Sequence, residues 1–247
     1  MKKSSPVHRL TDELLRDYTA AALSNAEQLT QEAQLLLAHG HHARAYFLAV
    51  AAIEECGKAY TTHEGRGRDL TNPAIANRLQ KSIADHQQKL NAATLPWIRR
   101  MANPRDQILP LVEVIVALQN GREPSMYSDI RFDGSGVHKP SDVVRPEVAA
   151  NCVRFCVDIW KHTAAFLAET APTPYSKTHD ALFEIRPDKL AAMTNTEDFA
   201  AYLLSRLEGG DMDTTAAFVA YHRDYFQKGI QFQTTTGQAE ESGRGAS

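Results

Sequence analysis

The first part of the chain contains a long stretch without the two residues that most often interrupt helices. Between Thr11 and Leu37 there is neither proline nor glycine. Thr11 is suited to cap a helix here and Gly40 to end it. The pattern predicts one long amphipathic helix, whose apolar stripe needs other elements to cover it. The stripe recurs at steps of three and four residues, and its members are Leu15, Tyr18, Ala22, Asn25, Leu29, Ala33 and Leu36.

The same periodicity predicts further helices along most of the chain. A second helix is predicted from about Ala43 to His63, and a third from Asn72 to Ala93, broken by the proline at position 96. The apolar segment 111–118, which leads to Gly121, favours helix over strand because its neighbours are helical. Residues 122–141 form a long loop, since they contain two prolines and two glycines. Later helices are predicted at 142–171, 197–208 and 214–228.

No segment shows convincing strand alternation, so we assign the chain to the all-α class. We expect an antiparallel helical bundle with a C-terminal helical extension. Pro172 and Pro174 mark the end of the bundle. The bundle is therefore placed at residues 10–171, the extension at 172–232 and a polar, disordered tail at 233–247.

Composition excludes several classes of protein. The 247 residues carry a formal charge of −3 and only three cysteines, which rules out a disulfide scaffold and gives no sign of DNA binding. No run approaches the length of a membrane span, and the N-terminus lacks the apolar stretch of a signal peptide. We expect a cytoplasmic protein with no membrane or DNA partner, although a local basic patch for RNA stays open.

The densest polar group on a predicted helix is Glu54-Glu55-Cys56-Gly57-Lys58. Glu55 lies at the edge of the apolar face, and Lys58 is placed to pair with either glutamate. The group has two interpretations, a helix salt bridge or part of a catalytic site. Gly57 destabilises a helix interior by about 1 kcal/mol relative to alanine, and close approach by another helix would explain its presence.

A second group of candidates follows on the third helix. His86 occupies a stripe position, with Lys89 one turn along. His86 is either a core histidine held by hydrogen bonds or a proton-transferring group in a polar pocket with Glu55 and Lys58. Lys89 is a candidate substrate-binding residue of that pocket.

Other clusters favour structural roles. His39, His41 and His42 surround a glycine at a helix end, and the Glu-x-x-His spacing of a bundle metal site is missing, so we expect no metal and no cofactor. The three cysteines are interpreted as small core residues. A short basic loop, Gly65–Arg68, is either an ordinary surface loop or a phosphate contact.

The second predicted helix also carries a family resemblance. Its pattern Ala45-x-x-Leu48-Ala49-x-x-Ala52-Ile53-Glu54-Glu55-x-Gly57-Lys58 resembles the signature of AbiV-type abortive infection proteins. Asn25-Ala26, Leu35-Leu36-Leu37 and His86-x-x-Lys89-Leu90 fit the same family, and the segment from Arg122 to Asp129 is similar with departures at Met126 and Ser128. The similarity covers about residues 10–171. Through this resemblance, Arg122, Tyr127 and Asp129 become further candidate substrate-binding residues of the pocket beside His86.

This resemblance implies a HEPN-like helical bundle that is usually a homodimer and acts in bacterial defence against phages. Many HEPN proteins are metal-independent ribonucleases whose motif is arginine, four to six residues, then histidine. The arginine would stabilise the phosphate and the histidine would transfer protons. Arg131 and His138 are the one pair with this spacing, although chance alone would place such a pair in a chain with this many arginines and histidines.

Three functional hypotheses follow from the sequence. The first is a phage-defence protein that cleaves RNA without a metal and so blocks translation, with Glu55, Lys58, His86, Arg131 and His138 as its catalytic candidates. The second is a non-enzymatic HEPN-like protein that binds a phage or host protein. The third is a dimerisation module that the C-terminal extension neutralises or directs.

Overall fold

The computed structural model describes residues 9–100, 105–131, 133–174 and 176–233. These residues are 74% helical with almost no strand, which confirms the all-α class. None of the described helices is both long enough and apolar enough to cross a membrane. The predicted disordered tail, apart from residue 233, lies outside the described residues.

The described residues form eleven α-helices, one π-helix and one short hairpin. The helices are α1 (Asp12–Ala38), α2 (His42–Gly65), α3 (Pro73–Ala84), α4 (His86–Ile98), α5 (Arg105–Gly121), α6 (Pro140–Val143), α7 (Pro146–Glu169), α8 (Lys177–Glu184), α9 (Pro187–Thr194), α10 (Glu197–Glu208) and α11 (Thr214–Tyr221). The π-helix spans His222–Phe226, and the antiparallel strands are β1 (Asp129–Ile130) and β2 (Val137–His138).

The chain divides into two compact units. The first is drawn from Met1–Arg100 and Glu113–Pro174, and the second from Met101–Val112 and Tyr175–Ser247. The first unit contains the helical bundle with α1, α2, α4 and α7, together with the hairpin.

Helix α2 is the centre of the bundle and packs against α1, α4 and α7. It is buried on nearly all sides because small residues line it, which lets its neighbours approach closely. Gly40, with a φ of 78°, ends α1 as predicted and reverses the chain, so that α1 and α2 are antiparallel. Helix α7 runs parallel to α2. The small buried residues of α2 are Ala43, Ala45, Ala49, Ala52, Cys56, Gly57 and Ala59.

Helix α1 begins where the sequence predicts, because the Thr11 hydroxyl accepts a hydrogen bond from the Leu14 amide. The third predicted helix is wrong as a single element, since it is two helices that meet at Asp85. Asp85 has an extended backbone, and its carboxylate caps α4 by accepting from the Gln88 amide at 2.9 Å. The predicted break at Pro96 is also wrong, because α4 continues to Ile98.

The long loop of residues 122–141 contains the β1–β2 hairpin, which the sequence analysis missed. Its strands are only two residues each, too short for an alternation pattern to reveal them. The helix predicted from position 142 to 171 is likewise interrupted. Helix α6 ends before Pro146, at which α7 begins, because the residue preceding a proline disfavours helix.

The second unit has its own aromatic core. Helices α10 and α11 were predicted, whereas α8 and α9 were not. The carboxylate of Asp198 accepts hydrogen bonds from the Tyr221 hydroxyl at 2.7 Å and from the Phe232 and Gln233 amides. The ring contacts in this core join Phe199, Tyr202, Phe218, Tyr221, Tyr225 and Phe232.

Candidate functional site

A glycine on α2 brings α4 against the centre of the bundle. A β-carbon placed on Gly57 would lie 1.9 Å from the carbonyl oxygen of Lys89, far inside any van der Waals contact. The predicted role of this glycine, close approach by another helix, is therefore confirmed. Glu54 lies one turn before Gly57 on the same face of α2, so it lies under the first turn of α4.

The Glu54 carboxylate collects three nitrogen-bearing side chains. His86 Nδ1 lies 2.8 Å from Oε2, and Lys89 Nζ also lies 2.8 Å from Oε2. Arg122, which follows the end of α5, places Nε 2.9 Å from Oε1. We call these four residues the Glu54 cluster. It unites α2, α4 and the segment after α5.

Burial differs sharply within the Glu54 cluster. The side chains of Glu54 and Lys89 are 7% and 6% exposed, whereas that of His86 is 53% exposed. Arg122 is intermediate, and its guanidinium lies over the ring of Phe47. The cluster therefore combines a buried ion pair with a half-exposed imidazole and a mostly buried guanidinium.

The surroundings of Glu54 keep it ionised. Burial by itself would raise the pKa of Glu54. The hydrogen bonds from Lys89 and His86 and the positive charges of Lys89 and Arg122 outweigh that effect, so the pKa of Glu54 lies below its ordinary value. With one carboxylate against two permanent cations, the cluster carries a net positive charge even when His86 is neutral.

The predicted pocket places Glu55 beside His86, whereas the structure places Glu54 there. Glu55 instead pairs with Lys58 within α2, Nζ to Oε1 at 2.6 Å, as one of the two predicted pairings. The carboxylate that contacts His86 belongs to Glu54. The signal that points to Glu54 is its spacing of three residues from Gly57, because a glycine that admits a second helix marks the face that the helix covers.

The other predicted site residues lie on or beside the hairpin. Tyr127 is exposed, and Asp129 pairs with His138 across the two strands. Arg131 continues β1 through a hydrogen bond from its amide to the Gly136 carbonyl. Among the contacts of the described residues, none joins Tyr127, Asp129, Arg131 or His138 to the Glu54 cluster, although Arg122 belongs to it.

The hairpin arranges its side chains on two faces. Residues opposite each other share a face, and successive residues alternate. Asp129 and His138 are therefore on one face, together with Arg131 two residues along the chain. Ile130 and Val137 form the opposite face and are 70% and 58% exposed.

A protein-family model matches more than half of the chain. The family model for AbiV of the HEPN group matches residues 14–161. The chain belongs to the AbiV family. No curated protein and no solved structure matches it. The matched region contains the Glu54 cluster and the hairpin, and AbiV membership suggests a role in abortive infection, the defence of bacteria against phages.

In this AbiV-family chain, the side chains of the basic loop contact other parts of the first unit. In the basic loop, Arg66 pairs with Asp12 at 2.8 Å, and Arg68 donates to the Thr173 carbonyl. These contacts tie the loop to the start of α1 and to the end of the first unit. Within the described ranges, no three histidine, cysteine or acidic side chains are arranged to hold a metal ion.

The three cysteines are core residues of the bundle. Cys56, Cys152 and Cys156 are all free and buried. Burial raises the pKa of each thiol, most strongly for Cys56 and Cys152. Cys156 also contacts the Thr30 hydroxyl, Sγ to Oγ1 at 3.2 Å.

Proposed function

We propose that this AbiV-family protein acts in the bacterial cytoplasm as a metal-independent ribonuclease of phage defence, with His86 as its proton-transferring residue. The observation that carries the proposal is the contact of His86 Nδ1 with the ionised Glu54 carboxylate, while the imidazole remains half exposed. A carboxylate on one ring nitrogen orients the imidazole and leaves the other nitrogen free for proton transfer.

The charge of the Glu54 cluster suits an RNA substrate. A phosphodiester is an anion, and the excess of cations over carboxylates at this place favours anion binding. Arg122 lies at the partly exposed edge of the cluster, where a guanidinium can contact a phosphate oxygen. Lys89 is buried against Glu54, so its contribution is to the electrostatic potential rather than to direct contact.

Cleavage by this route needs the ribose 2′-hydroxyl as nucleophile. The Nε2 of His86 would take the hydroxyl proton while the 2′-oxygen attacks the adjacent phosphorus. The bond from phosphorus to the 5′-oxygen then breaks, and that oxygen takes up the proton that His86 accepted, directly or through water. The products would be a 2′,3′-cyclic phosphate end and a free 5′-hydroxyl.

Arg131 and His138 form the other candidate pair. Their shared face of the hairpin brings them within reach of one phosphate, because diagonal neighbours in a strand pair lie roughly 7–8 Å apart between α-carbons. In a homodimer, two copies of this hairpin face would supply the paired arginines and histidines that the family resemblance implies.

The deciding experiment is RNA cleavage in excess EDTA. Purified protein is incubated with total cellular RNA, and the ends of the fragments are analysed for 2′,3′-cyclic phosphate. We expect His86→Ala to reduce cleavage about 100-fold or more, and His39→Ala, at the exposed end of α1, to have no effect. Loss of cleavage in Arg131→Ala and His138→Ala, but not in His86→Ala, would move the active site to the hairpin.

A second function, binding of a phage or host protein without catalysis, is favoured by the apolar face of the hairpin. Ile130 and Val137 are large, exposed and adjacent, which is typical of a protein contact. If no RNA is cleaved, even with extract of phage-infected cells added, partners that co-purify with wild-type protein but not with an Ile130→Ser/Val137→Ser variant would identify this function.

A further inference from the structure

One ring nitrogen of His86 contacts two groups of opposite chemistry. His86 Nδ1 lies 2.8 Å from Oε2 and 2.9 Å from Oε1 of Glu54, and 3.2 Å from Nζ of Lys89. The same Nζ and Oε2 are 2.8 Å apart, so the three atoms form a closed triangle. The triangle is fixed in place because the Gly57 contact holds α4, which carries both His86 and Lys89, against α2.

The two partners impose different demands on Nδ1. An ionised carboxylate accepts hydrogen bonds, and an ammonium group donates them. A neutral imidazole carries one N–H group and one lone pair, on either nitrogen. When the proton is on Nδ1, it is donated to Glu54. When the proton is on Nε2, the lone pair of Nδ1 accepts from Lys89. Both neutral tautomers are therefore satisfied at this position.

We propose that Glu54 and Lys89 together hold His86 in both neutral tautomers, so that its exposed Nε2 serves as proton acceptor in one and as proton donor in the other. The exchange is balanced: Nε2 takes a proton from solvent, and the proton on Nδ1 passes to the Glu54 carboxylate and from there to solvent, which leaves the net charge of the cluster unchanged. Glu54 and Lys89 are positioning residues in this scheme, since they act through His86.

The charged groups around the triangle support the exchange. Arg122 contacts the other oxygen of Glu54, Oε1, and helps to keep the carboxylate ionised. Lys89 pairs with the same carboxylate, Nζ to Oε2 at 2.8 Å. Without Lys89, the carboxylate would fix the proton on Nδ1. Without Glu54, the ammonium group would fix it on Nε2.

This inference deepens the proposed function, on which its catalytic meaning rests. Cleavage of a phosphodiester through a 2′-hydroxyl needs a base for that hydroxyl and an acid for the departing 5′-oxygen. A histidine with two supported tautomers can start from either side of the reaction.

Nitrogen NMR on the full chain tests the inference without RNA. The protein is labelled with ¹⁵N-histidine, and the Nδ1 and Nε2 shifts of His86 are measured at a pH of about 8, above ordinary imidazole titration. His86→Gln assigns the signals. We expect wild-type shifts between those of the two pure tautomers. Glu54→Gln should move them towards the Nε2–H form and Lys89→Met towards the Nδ1–H form.

Controls and contrary outcomes are built into the same spectra. Glu55→Gln removes the neighbouring carboxylate, which pairs with Lys58, and should leave the His86 shifts unchanged. Wild-type shifts of one pure tautomer would overturn the inference even if a variant fails to fold. Shifts that move in the same direction in both variants, or do not move, would overturn it too.

The two proposals fail separately. If the two variants shift the His86 signals in opposite directions but the protein does not cleave RNA, the tautomer exchange is supported and the ribonuclease proposal is refuted. If His86 has a single fixed tautomer but the protein cleaves RNA through His86, the ribonuclease proposal is supported and the tautomer exchange is refuted.

Discussion

At the scale of single residues, Glu54 is the side chain that the three other members of its cluster contact. It is buried and ionised, and it contacts His86, Lys89 and Arg122 at 2.8–2.9 Å. Such an arrangement is stable only while it is complete, because an isolated buried charge is strongly unfavourable. Lys89 depends on this one carboxylate for its counter-charge, since its side chain is only 6% exposed.

Removal of Glu54 should therefore destabilise the fold. We expect Glu54→Ala to lower the free energy of unfolding by about 3–5 kcal/mol, since it leaves the Lys89 ammonium group buried without a counter-charge. Urea denaturation followed by circular dichroism measures this. The adjacent Glu55→Ala breaks a partly exposed pair within one helix and should cost no more than about 1 kcal/mol. Equal losses in the two variants would contradict the assignment of Glu54.

His63 gives the protein a predicted acid sensitivity. Burial lowers the pKa of His63, and this outweighs the opposing effect of Glu64 and of nearby backbone carbonyls. The unfolded chain therefore binds a proton at this site more readily than the folded chain does. The contribution of neutral His63 to stability is complete above the ordinary histidine pKa of about 6.5 and is lost as the pH falls towards the lower folded value.

The measurement is the free energy of unfolding between about pH 5 and pH 7. One histidine accounts for at most about 1.4 kcal/mol per pH unit. His63→Gln should flatten this dependence, whereas His39→Gln, at an exposed position, should not. Part of the slope should remain, because burial also lowers the pKa of His162 and His222. An unchanged slope in His63→Gln would refute the prediction.

At the scale of elements, the contact of α2 with α4 depends on Gly57. A methyl group at this position would collide with the Lys89 backbone, which cannot rotate away as a side chain can. We expect Gly57→Ala to destabilise the fold by more than about 2 kcal/mol, although alanine normally favours helix.

The same substitution should displace His86 from Glu54. NMR signals of His86 report this displacement in any fraction that remains folded. Gly136→Ala is the matched control, because a β-carbon there meets nothing within 4 Å. If Gly57→Ala were as stable as wild type, the close approach of the two helices would be disproved.

The sequence predicts elements well where local signals decide them. Thr11, Asn72 and Gly40 define helix ends through their own side chains or backbone, and the structure places the ends there. Asp85 has the same capping chemistry, but the apolar stripe continues on both sides of it, so periodicity alone hides the break. The hairpin depends on pairing between two strands of two residues each. Strands this short show no periodic pattern in the sequence.

The site follows the same division. The motif on α2 and the His86–Lys89 pair are visible in the sequence because they occur within single helices. Which glutamate meets His86 depends on how α4 is rotated against α2, and that rotation is a property of packing. Arg122 joins the Glu54 cluster from a distant part of the chain, and only the resemblance had singled it out.

At the scale of the whole molecule, all three thiols lie in the interior of the first unit. We expect none of them to react with a thiol reagent such as DTNB in the folded protein, because burial both blocks access and raises each pKa. Labelling across a urea series should follow the unfolding curve of the bundle measured by tryptophan fluorescence, since Trp97 and Trp160 lie in the same unit. A thiol that reacts before the transition would contradict this burial.

The Gly57 contact has a consequence for how such a protein can evolve. Because Gly57 has no side chain, α4 lies close to α2 and the charged groups of the Glu54 cluster come together. The proposed site and the interior packing therefore depend on the same position. A mutation at that position cannot adjust the chemistry while sparing the architecture. Variation in the proposed activity is therefore expected mainly at His86 and Arg122, the more exposed members of the cluster, rather than at Gly57.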